Sequence, residues 1–174
     1  MPLLTETPTR LWRIVRMSMI PMNAAILVWL LPARFVLGVD GWATVIFGVT
    51  GLLIVACALT ATTLLARAVH RGPSPAPLAP WVAAVAALSQ ITVWVALIAF
   101  GVGWVDVDDP STSRTDPQKS VLINLAGYSD HTLALSNRVA ELSYVTALGA
   151  WGILLITLVC ARRSTRRPAY HSTP

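Results

Sequence analysis

Trp81–Trp104, WVAAVAALSQITVWVALIAFGVGW, runs for twenty-four residues without an Asp, Glu, Lys, Arg or His. Wound as a helix at ~1.5 Å per residue it reaches roughly 35 Å, against a bilayer hydrocarbon core of about 30 Å. It reads as a transmembrane span. A Trp at each end suits the two membrane–water interfaces, where an indole has both phases within reach.

The flanks of this stretch set the rest of the reading. Before it, GPSPAPLAP places four prolines between Gly72 and Pro80, so this connection is extended and not helical. Upstream again, Gly41–Ala66 is uncharged for twenty-six residues and is a second span. Along it Thr44, Gly48, Gly51, Val55, Ala58 and Thr62 recur at helical steps and line one face with small side chains. Such a face admits another helix closely, from this chain or from a second copy.

Met17–Ala33 is uncharged for seventeen residues, the lower limit for a span, and holds Pro21, Asn23 and Pro32. With Arg34 snorkelling to the far interface, the helix extends to about Leu37, and Gly38–Gly41 then turns the chain. A cleaved signal peptide is the rival reading, but Pro21 interrupts the apolar core and no small-residue cleavage pattern follows it. Arg10, Arg13 and Arg16 precede the span as a basic amphipathic turn for the headgroup layer, a topology signal with snorkelling side chains. Met1–Thr9 carries no pattern and is given no role.

After Trp104 comes the one long loop, 105–141. Ser129 or Asp130 is its helix N-cap candidate, leading straight into the last span, Leu142–Ala161. Within the loop, Lys119–Gly127 is expected as a short helix on the membrane surface. Loops of this length are uncommon unless functional or disordered, so a partner site is sought here. Arg162, Arg163, Arg166 and Arg167 end the fourth span, and a short polar tail follows.

The whole is therefore expected to be all-α, an integral membrane four-helix bundle. It comprises a basic segment 1–16, a membrane domain 17–161 with spans at about 17–37, 42–66, 81–104 and 142–161, and a basic tail 162–174. The 174 residues are 55% hydrophobic and 12% charged, with a mean hydropathy of +0.65, whereas soluble domains carry about 25% charge. The net charge of +5 is not a nucleic-acid footprint, because the charges are sorted by side. Both termini and the 67–80 loop hold nine basic residues and one acid, Glu6, while the long loop holds six acids and three basic residues. By the positive-inside rule both termini face the cytoplasm, across a plasma membrane or its bacterial equivalent.

No catalytic, cofactor-binding or metal-binding constellation is expected. Cys57 and Cys160 form no CxxC, differ in expected depth by about 12 Å and read as small packing residues. His70, His131 and His171 lie outside the spans, with no pair placed for haem. Asp106, Asp108, Asp109, Asp116, Asp130 and His131 match no calcium loop and read as a solvated acidic surface. No GxSxG, SxxK or phosphate-cradling motif occurs. The span interiors hold no ionisable residue, which disfavours ion-coupled transport, and the two halves differ too much for an inverted repeat.

What remains are packing or pore-lining candidates: Asn23, Gly48, Gly51, Ala58, Thr62, Ser89, Gln90 and Thr92. Gln90 must face another helix or a wet cavity, since hydrocarbon offers its amide nothing. The expected partners are the lipid bilayer and either another membrane protein or further copies of the chain, with no nucleic acid and no small-molecule substrate identified. The expected role is a non-enzymatic accessory, assembly or immunity/exclusion component. The alternative is a self-associating pore former, a channel or phage-type holin, built through the Thr44–Thr62 stripe.

Overall fold

The computed structural model describes residues 3–39, 41–69, 78–107 and 118–166, of which 88% are helical. The elements are α1 (Leu3–Leu30), α2 (Pro32–Val36), α3 (Trp42–Ile46), a π turn (Phe47–Gly51), α4 (Leu52–Val69), α5 (Pro80–Gly103), β1 (Asp106–Val107), β2 (Gln118–Lys119), α6 (Val121–Ala126) and α7 (Asp130–Arg166). Four helical stretches are long and apolar enough to cross a membrane: Thr9–Leu30, Trp42–Val69, Pro80–Gly103 and Asp130–Ser164.

α5, the stretch that opened the reading, is the central helix. In its most apolar window 44% of residues are buried, against 11% for Trp42–Val69. It packs most extensively on α7 and then on α1. Its Pro80 sits in the first turn, where the missing N–H would have no intrahelical partner. Chain order along the contacts fixes the directions. Asn23, Trp29 and Arg34 bond in turn to Trp94, Ile98 and Gly101, so α1 and α5 run the same way. Gly48 meets Leu31 while Asn23 meets Thr63, so the second long helix runs back along α1. α7 likewise returns along α5: Gly103 lies against Ser136, and residues 91–99 share a groove with 142–146.

The shared core is apolar and dense. Met19, Ile26, Leu30, Leu154 and Leu158 are each 1% exposed or less, with Ala83, Ala86 and Ala87 of α5 among them. The alanines let helices approach, and the long side chains fill the space between.

Several expectations are corrected. The first helix does not run to Leu37 but ends at Leu30, because Pro32 disfavours helical backbone at Leu31, and α2 starts anew with Pro32 in its first turn. At its other end this helix already begins at Leu3, within a segment that showed no pattern. The second long helix contains a π turn at Phe47–Gly51. There Phe47 folds back over Gly51, filling the place a Cβ would take, and its ring meets Trp104 edge-on at 4.7 Å. Cys57 and Cys160 are exposed on helix surfaces, not packed inside. Ser129 does cap α7, its Oγ accepting from the Thr132 N–H at 3.0 Å.

Candidate functional site

The chemistry-bearing side chains gather at the end of the molecule that carries the α5–α7 connection, here termed the loop end. Its centre is Arg34. The snorkelling expected of it does not occur: it is 1% exposed. Nε donates to Thr44 Oγ1 at 3.0 Å, and Nη1 donates to the carbonyls of Gly101 and Trp104, each at 3.2 Å. Nη2 donates to the Val39 carbonyl at 2.9 Å, and the guanidinium lies 4.5 Å from the centre of the Trp104 ring.

Each partner is placed by local structure. The carbonyls at the end of α5 have no intrahelical N–H to accept from, and a cation there meets the negative end of the helix dipole. Gly38, at φ +63°, turns the chain after α2 so that the Val39 carbonyl comes back onto Arg34. Asp106 completes the arrangement from the other side. Its Oδ1 accepts from the Ala43 N–H at 2.9 Å and its Oδ2 from the Thr44 N–H at 2.7 Å, so a carboxylate caps the first turn of α3. Oδ2 also stands 3.9 Å from Arg34 Nη2. A cation at one helix end and an anion at another thus face each other, each held by backbone dipoles of the opposite sign. Phe47, Phe100 and Trp104 pack on one another, with the Trp104 ring against the guanidinium.

A second cluster ties the connection down. Ser136 donates to the Gly103 carbonyl at 2.9 Å, which leaves Ser120 to donate to Ser136 across 2.6 Å. Ser120 Oγ also accepts from the Ile123 N–H and caps α6. Gly103 makes this possible, since a Cβ there would stand 2.8 Å from both Ala140 N and Ser136 O. α6 falls where a surface helix was expected, with Val121 and Ile123 buried and Leu125 exposed.

Between α6 and the turn after α2 lies a cavity of about 330 Å³, bordered by Gly38, Val39, Gln118, Ser120, Asn124 and Tyr128. Asn124 spans one side of it, its Nδ2 donating to the Leu37 carbonyl at 3.3 Å. Gln118 Oε1 is buried there with no hydrogen-bond partner. The cavity is large enough for a side chain or small ligand.

The sequence candidates lie deeper and form separate groups. Asn23 Nδ2 donates to Thr63 Oγ1 at 3.0 Å, and Asn23 Oδ1 accepts from Trp94 Nε1 at 2.8 Å, joining three helices. Thr62 donates to the Ala58 carbonyl and accepts from Trp151 Nε1 at 2.9 Å. Gly48 lies under Leu31 and Gly51 under Phe47, while Ala58 is half-buried. The small-residue stripe therefore packs within the chain. Ser89 is buried and Thr92 half-buried beside α7. Gln90 is 1% exposed, yet neither its Nε2 nor its Oε1 has a partner.

Of the acidic surface group, Asp130 and His131 are exposed and Asp106 is buried, while Asp108, Asp109 and Asp116 lie outside the described residues, as do His70 and His171. Among the described residues no three His, Cys, Asp or Glu side chains gather as metal ligands would. Arg34, Thr44, Trp104 and Asp106 were missed as a group. The available signal was an Arg seven residues before a helix start, Gly41, that has no side chain of its own to cap it. No known family model, curated protein or solved structure matches the chain.

Proposed function

We propose that this chain is a multi-pass membrane component with cytoplasmic termini that acts by contact with another membrane protein, as an accessory, assembly or immunity/exclusion factor. Four long apolar helices and the sorting of basic residues to one side support the placement. The observation that carries the contact reading is the loop-end cavity, of a size to take a partner's side chain, with Gln118 and Tyr128 on its border. Val39 on its border is held by Arg34 through its carbonyl, so this wall is in place before a partner's side chain enters.

The test is affinity purification in mild detergent from the native cell, followed by mass spectrometry and sizing, with Gln118→Leu and Tyr128→Ala compared against the unaltered chain. A membrane partner at fixed stoichiometry, at least tenfold depleted with either variant, supports the reading. No partner, or one retained equally by both variants, overturns it. Orientation is tested separately: without Cys57 and Cys160, a cysteine at Ser113 reacts with an impermeant thiol reagent on intact cells, and one at Ser74 does not.

A pore former is the second reading. The interior of one copy is filled by Met19, Ile26, Leu30, Leu154 and Leu158, so a conduit would run between copies. Membrane leakage on expression separates this reading from the first.

A further inference from the structure

The two ends of the bundle differ in how their charges are balanced. At the loop end the described cations, Arg34, Lys119 and Arg138, stand with Asp106, Asp130 and Glu141. At the opposite end, where Trp12, Val69, Ala83 and Ala161 are buried, α1, α4 and α7 bring Arg10, Arg13, Arg16, Arg67, Arg162 and Arg163. No described carboxylate side chain stands there. Among the described residues, Arg10, Arg13, Arg16, Arg67 and Arg163 make no hydrogen bond and no ion pair. Like charges gathered in this way repel one another, so a countercharge from outside the chain stabilises this end.

α1 carries the form that this countercharge takes. Arg13 and Arg16, three residues apart on a helix, have Cβ atoms about 5–6 Å apart, close enough for both guanidiniums to meet one phosphate. Arg16 is half-buried, which holds its stem against the bundle. Further along the same face as Arg13, one and two turns on, come Met17, 69% exposed, and Ile20, 50% exposed. α7 repeats the order, with exposed Arg163 followed inward by Val159 and Ile156. On the membrane placement proposed above, on which this inference rests, Arg13 and Arg16 lie in the cytoplasmic headgroup layer and Met17 and Ile20 in hydrocarbon. We propose that this end of α1 binds an anionic phospholipid, its phosphate between Arg13 and Arg16 and an acyl chain along Met17 and Ile20. A soluble phosphate ester would satisfy the arginines alone, whereas a lipid satisfies the arginines and the apolar side chains beyond them. The arginines of α4 and α7 add to the field that favours a lipid of net negative charge over a zwitterionic one. The site is remote from the loop-end cavity and needs no partner protein.

The experiment is electron paramagnetic resonance of trace phosphatidylglycerol or phosphatidylcholine, each spin-labelled on an acyl chain, with the full chain in phosphatidylcholine vesicles. The phosphatidylglycerol probe is expected to associate at least about threefold more strongly than the phosphatidylcholine probe. Arg13→Gln combined with Arg16→Gln is expected to remove at least about half of that preference, and Arg138→Gln at the loop end to leave it unchanged. Salt at about 1 M, where the screening length is about 3 Å, is expected to lower the preference of the unaltered chain. Equal association of the two probes, a preference that the double variant keeps, or one that Arg138→Gln lowers as much, overturns the proposal. So does inorganic phosphate that abolishes the preference at an ionic strength where chloride does not, since the site is then one for free phosphate. A chain that does not float with phosphatidylcholine vesicles overturns the membrane placement and this proposal with it, whereas one that floats and shows equal association overturns this proposal alone. Where the double variant fails to float, Arg13→Gln alone, at an exposed position, decides.

Discussion

Arg34 at the loop end and Gln90 in the middle of α5 are equally buried, each 1% exposed, yet their surroundings are opposite. All three guanidinium nitrogens of Arg34 donate, to one hydroxyl and three carbonyls. The Gln90 amide has no partner at either end. The difference lies in what a helix offers along its length. At its termini, carbonyls and N–H groups lack intrahelical partners and can receive a buried charge. In its middle they are already paired, so a buried amide depends on other side chains. Three such side chains, Asn23, Thr63 and Trp94, are bonded to one another. Polarity can be buried cheaply where helices end and only by pairing where they do not.

The largest effect that would break this comparison is expected at Arg34. Arg34→Ala removes four donated bonds and leaves Asp106 buried without its cation, a loss of ~3–5 kcal/mol for a broken buried pair. Titration with SDS in mixed micelles, followed by tryptophan fluorescence, reads it as unfolding at much lower SDS. A loss under about 1 kcal/mol, the size expected of an exposed pair, would show that water reaches the guanidinium. Asn23→Leu comes next, at about 2 kcal/mol. It deletes three interhelical bonds of roughly 0.6 kcal/mol each and strands the Trp94 N–H. An unchanged midpoint in the same titration would mean that the Asn23 group does not hold α1 to α4 and α5.

Much of the helical architecture was legible because apolar runs of span length have few other uses: Trp81–Trp104 as read is Pro80–Gly103 as folded. Asn23 and Gln90 stood out as polar residues within such runs. That one of them is paired and the other is not depends on which way neighbouring helices turn, which no single run records. The loop end was hidden for another reason. Arg34 binds backbone carbonyls at Gly101 and Trp104, and Asp106 binds backbone N–H groups at Ala43 and Thr44. Backbone partners leave no mark in residue identity, so an Arg beside an apolar run looks like one that snorkels. The two-residue strands Asp106–Val107 and Gln118–Lys119 are too short for any alternation to show.

The smallest effect is the sharpest, because its sign differs from the others. Gln90→Leu replaces an unpaired, 1% exposed amide on α5 with an apolar side chain of similar volume. An unsatisfied buried polar group costs about 1–3 kcal/mol, so its removal is expected to leave stability unchanged or raise it by about 1 kcal/mol, after some loss to imperfect packing. Arg34 and Asn23 substitutions can only weaken the fold, whereas this one separates two accounts of the same residue. If Gln90 is an amide without a partner, the SDS midpoint rises or holds. If it falls by more than about 1 kcal/mol, Gln90 is hydrogen-bonded in the folded protein, and the contrast with Arg34 becomes one of which partner each finds.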